Sequence, residues 1–579
     1  MIGKKTPHRL AALALALLLS GCGSGGQPPA DTEAFQQKAE ALREAMLSDG
    51  VRQELAENPA GEAGSAVFLS VCDGAWRARV YTGTGASPDA AWDAAVQAAD
   101  KALQAGGPDP LWVKADLVYV SAPLSAAALG KIREVFGPYG FRYGLAFDPG
   151  YETALLEAEL NTNHIYDYEN GGVSLERLNA YLEASGREPL AALPEEYTAF
   201  QCAGWLCGED GAVVPLSPDE TDYGRRKTVS VDGSMARALA LDGAEYLAEQ
   251  VREDGSILLP GAEEPLGAAG HADALSAMIQ GYRLLPGEAL AGGIGRAAEW
   301  LLSRVAYTED DLAFVPDHGE ITLESSALAL IALADCAEAS ENNAYVPACQ
   351  ALGAGILSLL DSGAGTFTHV LDASDPGRKE TFRCAGWDGM GVTALCRLYG
   401  LTEDSLWLWA AERVLDRMVQ EDSARYTDVW TARALREITG YVRDRADYFA
   451  FALKNAQGSL SAIYGAQGTE PAGLEMLAAS YETYRNMLDA GFSTGGFAPE
   501  LLREVIMARA GRQLDGYLFP EYAMYFDQPR EVLGAFMDRE DGLTISSGGM
   551  CRNIGGYSLY AGIYDRLLED GQTEEGGGA

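Results

Sequence analysis

Histidine is scarce in this chain: there are five in 579 residues, so a multi-histidine metal centre would need most of them. Cationic side chains are few as well. The 43 Lys and Arg face 84 Asp and Glu, for a net charge of −41 and a pI near 4.4. Such a surface repels phosphate backbones, which argues against nucleic-acid binding. It also repels anionic lipid headgroups, so a membrane tie must be something other than a basic patch. No Cys-x-x-Cys pair, no His-Glu-x-x-His and no Gly-x-x-x-x-Gly-Lys-Ser/Thr loop occurs, so nothing calls for a zinc ion, another metal or a nucleotide cofactor. One Gly-x-Ser-x-Gly match, Gly491 to Gly495, follows a helical pattern instead of the strand that a nucleophile elbow requires. What the chain does have is apolar substance. Hydrophobic residues make up 47%, enough for a sizeable core, and the length suggests roughly three or four domains' worth of chain.

The N-terminus reads as an export signal. Lys4, Lys5 and Arg9 precede a ten-residue apolar stretch, Leu10 to Leu19, too short to span a bilayer. Leu19-Ser20-Gly21-Cys22 then resembles the bacterial lipobox, which implies cleavage before Cys22 and a diacylglycerol on its thiol. Residues 1–21 are the expected signal peptide. Residues 22–58 hold the lipidated Cys, a Gly/Pro/Ser tether and a helical lead-in. Loss of Lys4, Lys5 and Arg9 takes the net charge to −44. The expected location is the cell membrane, lipid-anchored, facing the extracytoplasmic side.

Setting Cys22 aside leaves eight cysteines, which in an exported chain permit disulfides without fixing their pairing. Cys202 and Cys207 are one candidate pair. The apolar helical setting of several others favours buried thiols.

Residues 59–150 read as a smaller α/β domain, with strands over 66–71, 75–81 and 111–120 and helices over 89–105 and 125–135. Residues 151–230 read as a mixed connecting region, with helices over 151–160 and 174–184 and then irregular sequence. From 231 to 570 the pattern changes. Twelve apolar-periodic stretches follow, separated by Gly/Asp/Pro turns, at 235–252, 271–285, 290–306, 320–338, 347–361, 387–400, 403–420, 427–440, 445–457, 471–490, 498–514 and 549–569. Several are small and apolar on most sides, as in Ser325–Ala334 and Gly389–Leu398. That fits an inner ring wrapped by a more amphipathic one. The expected fold class is mainly α: an α/α toroid of helical hairpins preceded by the α/β domain.

The near-repeat Phe200-Gln-Cys-Ala-Gly-Trp205 and Phe382-Arg-Cys-Ala-Gly-Trp387 has unrelated flanks and reads as coincidence.

Five segments of the C-terminal region carry a resemblance: Gly270-His-Ala-Asp-Ala-Leu275, Leu323 to Leu333, Gly386-Trp-Asp-Gly-Met-Gly391, Asp428-Val-Trp430 and Gly473-Leu-Glu-Met-Leu477. In order and spacing they resemble the α/α-toroid superfamily of six-hairpin glycosidase type. They look closest to bacterial helical-repeat domains labelled poly(glycerol-phosphate) glucosyltransferase-like. The family's first motif has Arg where this chain has Gly270. Its last repeat carries an Asp and a His that the stretch Gly548 to Asn553 lacks. The resemblance implies a glycan-active toroid.

Glycan hydrolysis needs two carboxylates across a cleft. Acids at the starts of the expected inner helices are the candidates. Asp388 and Glu475 are the expected catalytic pair, and Asp273, Glu324 and Asp428 are expected to line the substrate cleft. The same positions suit an acid beside a helix dipole with no further role. His271 at a helix start and His318 in a loop are candidates to meet sugar hydroxyls. Trp387 and Trp430 are candidates to stack on sugar faces, against ordinary core packing.

The expected function is therefore that of a lipid-anchored surface protein whose toroid is hydrolase-, lyase- or epimerase-like on an envelope or extracellular polysaccharide. The alternative is a non-catalytic glycan-binding or envelope scaffold lipoprotein with a degenerate toroid. Expected partners are a polysaccharide or oligosaccharide, the membrane through the anchor, and an envelope protein. Neutral glycans suit the acidity better than anionic polymers, which need a local basic groove.

Overall fold

The computed structural model describes residues 32–48, 65–131, 142–167, 171–217, 224–226, 230–379, 381–466, 469–538 and 543–577. The signal, Cys22 and the tether lie outside them. So do residues 132–135 of the helix expected over 125–135, of which Ala126–Leu129 is observed as helix.

The N-terminal part is one antiparallel sheet. Its strands are β1 (Ser65–Cys72), β2 (Arg79–Gly85), β3 (Trp112–Ser125), β4 (Gly144–Ala146), β5 (Ala154–Leu155), β6 (Glu196–Cys207) and β7 (Val213–Leu216), in the order β2-β1-β3-β6-β4-β5 with β7 also on β6. The period-2 alternation of β1 divides its side chains between two layers. Val67, Leu69 and Val71 pack under helices α1 (Thr32–Met46) and α2 (Pro88–Gln104), while Phe68 and Cys72 join the core shared with the C-terminal region. Ser87 caps α2 by accepting from the Ala90 amide, with Pro88 in the first turn where its missing N–H costs nothing.

Two stretches differ from expectation. Residues 196–207, expected to be irregular, form β6, the long partner of β3. Residues 151–160 form β5 and then α3 (Glu157–Thr162) instead of one helix. Helix α4 (Leu175–Ala184) lies where the pattern placed it. Cys202 and Cys207 sit five apart on β6, so they face opposite layers, and all eight described cysteines are free. The Phe200–Trp205 copy of the near-repeat is strand, whereas Phe382–Trp387 is a loop entering a helix.

From residue 233 on, twelve long helices among the described residues alternate between two layers. They are α5 (Gly233–Glu249), α6 (Ala268–Leu284), α7 (Glu288–Ser303), α8 (Leu323–Ser340), α9 (Val346–Ser358), α10 (Ala385–Thr402), α11 (Ser405–Gln420), α12 (Val429–Tyr441), α13 (Ala446–Gly465), α14 (Ala472–Asp489), α15 (Pro499–Gln513) and α16 (Ser547–Gly577). The even-numbered helices pack side by side in sequence, and α16 returns to pack on α6, which closes the ring. The odd-numbered helices pack outside it. This is an α/α toroid of six hairpins. Ring closure gives each inner helix two inner neighbours, which explains why α8 and α10 are apolar on most sides and buried along nearly their whole length.

The outer-to-inner connections all emerge at the N-terminal ends of the inner helices. That end is the toroid's mouth. Glu320–Thr322 pairs there with Val370–Asp372, tying the loops before α8 and α10 into one small sheet. At the opposite end, arginines cross-link successive inner helices. Arg283 meets Asp335 at 3.2 Å, Arg397 pairs with the same Asp335, Arg436 pairs with Glu482, and Arg485 meets Asp570 at 2.9 Å.

The sheet docks on the mouth-side connection between α15 and α16. Arg226 forks onto Glu521 at 2.9 and 2.7 Å, Arg225 meets Asp515 at 2.9 Å, and the hydroxyls of Ser70 and Tyr525 are 2.8 Å apart. Ala78 donates its amide to the Met524 carbonyl at 2.7 Å.

Candidate functional site

Each inner helix contributes a polar residue to the mouth within its first two turns or at its cap. In ring order these are Asp273 on α6, Glu324 on α8, Asp388 on α10, Asp428 capping α12, Glu475 on α14 and Arg552 on α16. Backbone approach sets their spacing. A Cβ on Gly389 would lie 2.7 Å from the Trp430 carbonyl carbon, so only glycine lets α10 and α12 come this close.

Glu475 is 2% exposed and each of its oxygens faces an arginine. Arg552 Nη1 donates to Oε2 at 2.8 Å, and Arg433 Nη1 lies 3.4 Å from Oε1. Arg552 also pairs with Asp273. The Trp430 ring lies against both guanidinium groups, 4.2 Å from Arg433 and 5.0 Å from Arg552. Four alternating charges thus run along the inner wall from α12 through α14 and α16 to α6. Glu475, expected as a catalytic acid, is thus held between two arginines, one hydrogen-bonded to Oε2 and one 3.4 Å from Oε1. Trp430, expected as a stacking platform, is a buried spacer between two arginines. Neither Arg433 nor Arg552 was singled out from the sequence. The signal was an arginine inside an otherwise apolar inner-helix pattern, a position that demands a carboxylate partner.

The wall formed by α8 and α10 is built differently. Asp388 accepts from Arg383 Nη2 at 2.6 Å on Oδ2 and from His369 Nε2 at 3.1 Å on Oδ1. The Cys384 amide donates to His369 Nδ1 at 3.0 Å, so Nε2 carries the ring proton. The His369 carbonyl accepts from the Leu323 amide at 2.9 Å, which ties this ring to the start of α8. His369 had no distinguishing pattern around it in sequence.

Next along the wall, Trp387 lies beside Glu324, where its indole favours the ionised carboxylate. Glu324 is half-buried, and its proton affinity is raised above the usual glutamate value. Burial is the main cause, with the nearby Trp387 indole opposing it and Asp273 and Asp317 adding to it. The exposed Phe382 ring meets Trp387 edge-on at 5.2 Å, which sets an aromatic ledge beside the two acids.

Three expected site residues have other roles. His271 is fully buried. Its Nε2 lies 2.9 Å from the Ala297 carbonyl and its ring stacks on Trp300 at 4.1 Å, so it joins α6 to the outer helix α7 and does not line the cleft. Burial pushes its pKa down to about 4. Asp428 is the N-cap of α12, accepting from the Thr431 amide at 2.9 Å and its hydroxyl at 2.5 Å. His318 stands exposed at the tip of the hairpin 316–320, while Asp317 beside it accepts from the Ala268 amide at 3.0 Å and caps α6.

No protein-family model matches the chain, and no curated protein matches it. Solved structures do show a likeness. A D-mannose isomerase is 9% identical over 58% of this chain and 97% of its own, with a TM-score of 0.43. A cellobiose 2-epimerase from Spirochaeta thermophila is 13% identical over 58% and 98%, also at 0.43. A GH76 α-mannanase from Bacteroides thetaiotaomicron is 14% identical over 58% and 97%, at 0.41. At such identities the chemistry has to be argued from this chain's own residues.

Proposed function

We propose that the toroid is a glycan-active enzyme working by the two-carboxylate scheme, with Glu324 as the general acid and Asp388 as the second carboxylate. One observation carries this reading: two acids on adjacent inner helices, Glu324 beside Trp387 and Asp388 next to Trp387 in the chain, sit in opposite environments. Burial and neighbouring carboxylates favour the protonated form of Glu324. Both Asp388 oxygens act as acceptors, the arrangement an ionised carboxylate makes. Acids whose surroundings differ in this way divide naturally into proton donor and base or nucleophile. The Phe382–Trp387 ledge offers flat apolar faces for a sugar ring.

The test is turnover of an oligosaccharide panel by the purified chain. Glu324→Gln and Asp388→Asn each should lower kcat/KM by about 10²–10⁴ on whichever glycan is turned over. Full activity in either variant contradicts the assignment. A second reading, a glycan-binding protein without turnover, is favoured by the locked Asp273–Arg552–Glu475–Arg433 network, which removes two acids from chemistry.

We also propose that the chain is held at the extracytoplasmic face of the membrane by a lipid on Cys22. The support is the Lys4/Lys5/Arg9 start, the apolar stretch and Leu19-Ser20-Gly21-Cys22. Metabolic labelling with an alkyne fatty acid should mark the wild type and not Cys22→Ala.

A further inference from the structure

Arg433 stands out among the charged groups of the mouth. It is 8% exposed, yet among the described residues its only ion pair is the 3.4 Å approach to Glu475, and it donates no hydrogen bond of normal geometry. Glu475 is already engaged more closely by Arg552, at 2.8 Å. The remaining guanidinium donors of Arg433 therefore lack acceptors. Its side chain and that of Arg552 each keep 10% of their surface open. Both are on inner helices, so that remnant faces the lumen of the toroid. Trp430 fixes the plane of the Arg433 fork from one side, which leaves its edge to be met by a ligand.

A guanidinium that is nine-tenths buried and short of protein acceptors keeps donors free for a ligand that reaches it. The burial lowers its proton affinity, and the carboxylates of Glu475, Asp273 and Asp335 offset this only in part. A planar, two-oxygen acceptor fits such a fork best, because both N–H groups on one edge can bond at once. On a sugar, that acceptor is a carboxylate.

We propose that Arg433 is the specificity determinant of the mouth, and that the saccharide it selects carries a carboxylate, as a uronic acid does. This rests on the glycan-active reading of the same site. The chain's overall acidity disfavours an anionic glycan in general, so such a ligand depends on specific guanidinium contacts. Arg433, Arg552 and, at the rim, Arg383 are the guanidinium groups there, each beside a carboxylate. Arg383 is half-exposed, with Asp388 as its ion-pair partner. An arriving uronate is thus met first by a surface guanidinium and then by a buried one.

The test is calorimetric binding to the purified full-length chain carrying Asp388→Asn, so that no turnover intervenes. The probes are matched pairs of disaccharides that end in glucuronate or glucose, galacturonate or galactose, and mannuronate or mannose. The expected result is that at least one uronate binds about tenfold or more tightly than its neutral partner. Arg433→Gln should abolish that preference, and Arg433→Lys should keep part of it. Thermal melts confirm that each variant is folded. If Arg433→Gln does not fold, loss of the preference in folded Arg433→Lys decides for the proposal and its full retention decides against it. Equal binding of both members of every pair overturns the proposal and leaves the glycan-active reading standing. A preference that survives in folded Arg433→Gln overturns the assignment to Arg433. Binding of neither member of any pair overturns both readings.

Discussion

Arg552 Nη1 donates to Glu475 Oε2 at 2.8 Å, across the junction of the fifth and sixth inner helices. The same guanidinium pairs with Asp273 on the first inner helix. One arginine therefore bridges the seam at which the ring closes. Removing it would leave Asp273 without its arginine and Glu475 with only the 3.4 Å approach of Arg433. Arg552→Met should destabilise the chain by about 3–5 kcal/mol in urea unfolding. The triple change Arg552→Met, Glu475→Met, Asp273→Leu should recover part of that loss. A single-variant cost below about 1 kcal/mol would show that the network does not hold the ring.

Gly555 makes the room that Glu475 occupies. A Cβ there would stand 2.7 Å from Glu475 Oε1, whereas on the same helix nothing lies within 4 Å of one at Gly562. Gly555→Ala is expected to lower the melting temperature. Gly562→Ala is expected to leave it unchanged or raise it slightly, by the helix preference of about 1 kcal/mol for Ala over Gly. Equal effects at the two sites would count against the crowding at Glu475.

His271 gives the fold an acid limit. Its folded-state pKa is lowered from 6.5 to about 4 by burial, so protonation favours the unfolded chain. The stability it confers is complete above about pH 6.5 and is lost as pH falls through about 4, to a total of about 3 kcal/mol. His271→Gln should flatten the acid side of the stability profile. An unchanged slope would place the acid sensitivity elsewhere.

Glu324 works in the opposite direction. Its folded-state pKa is raised above the ordinary value of 4.5, so the contribution is fully present below that value and is lost as pH rises through the raised one. Glu324→Gln should therefore gain stability over the wild type at pH 7 and lose that advantage near pH 4. Melting curves at the two pH values check this, and a difference that does not depend on pH contradicts it.

The helices of the toroid were legible in the sequence because helical periodicity is a local signal. All twelve expected stretches meet observed helices, and several differ only by a residue or two at their ends. Strand β6 was not legible. Its partner β3 lies some eighty residues upstream, and Ala199, Cys202, Ala203 and Gly204 carry little strand preference of their own. The site divides the same way. Helix starts pointed to Glu324 and Asp388, since acids there are local features. That Glu475 is clamped follows from Arg433 and Arg552, which ring closure alone brings to it. His271 looked available by its place at a helix start, and only the outer helix α7 shows that it is covered.

The central claim is the division of labour between Glu324 and Asp388. It is tested most directly by comparing an ordinary glycan substrate with an aryl glycoside whose dinitrophenolate leaving group needs no proton. The account predicts that Glu324→Gln loses turnover of the ordinary substrate and retains most of it on the aryl glycoside, while Asp388→Asn loses both. Equal losses of the two substrates in Glu324→Gln, or full turnover of either by Asp388→Asn, would contradict it.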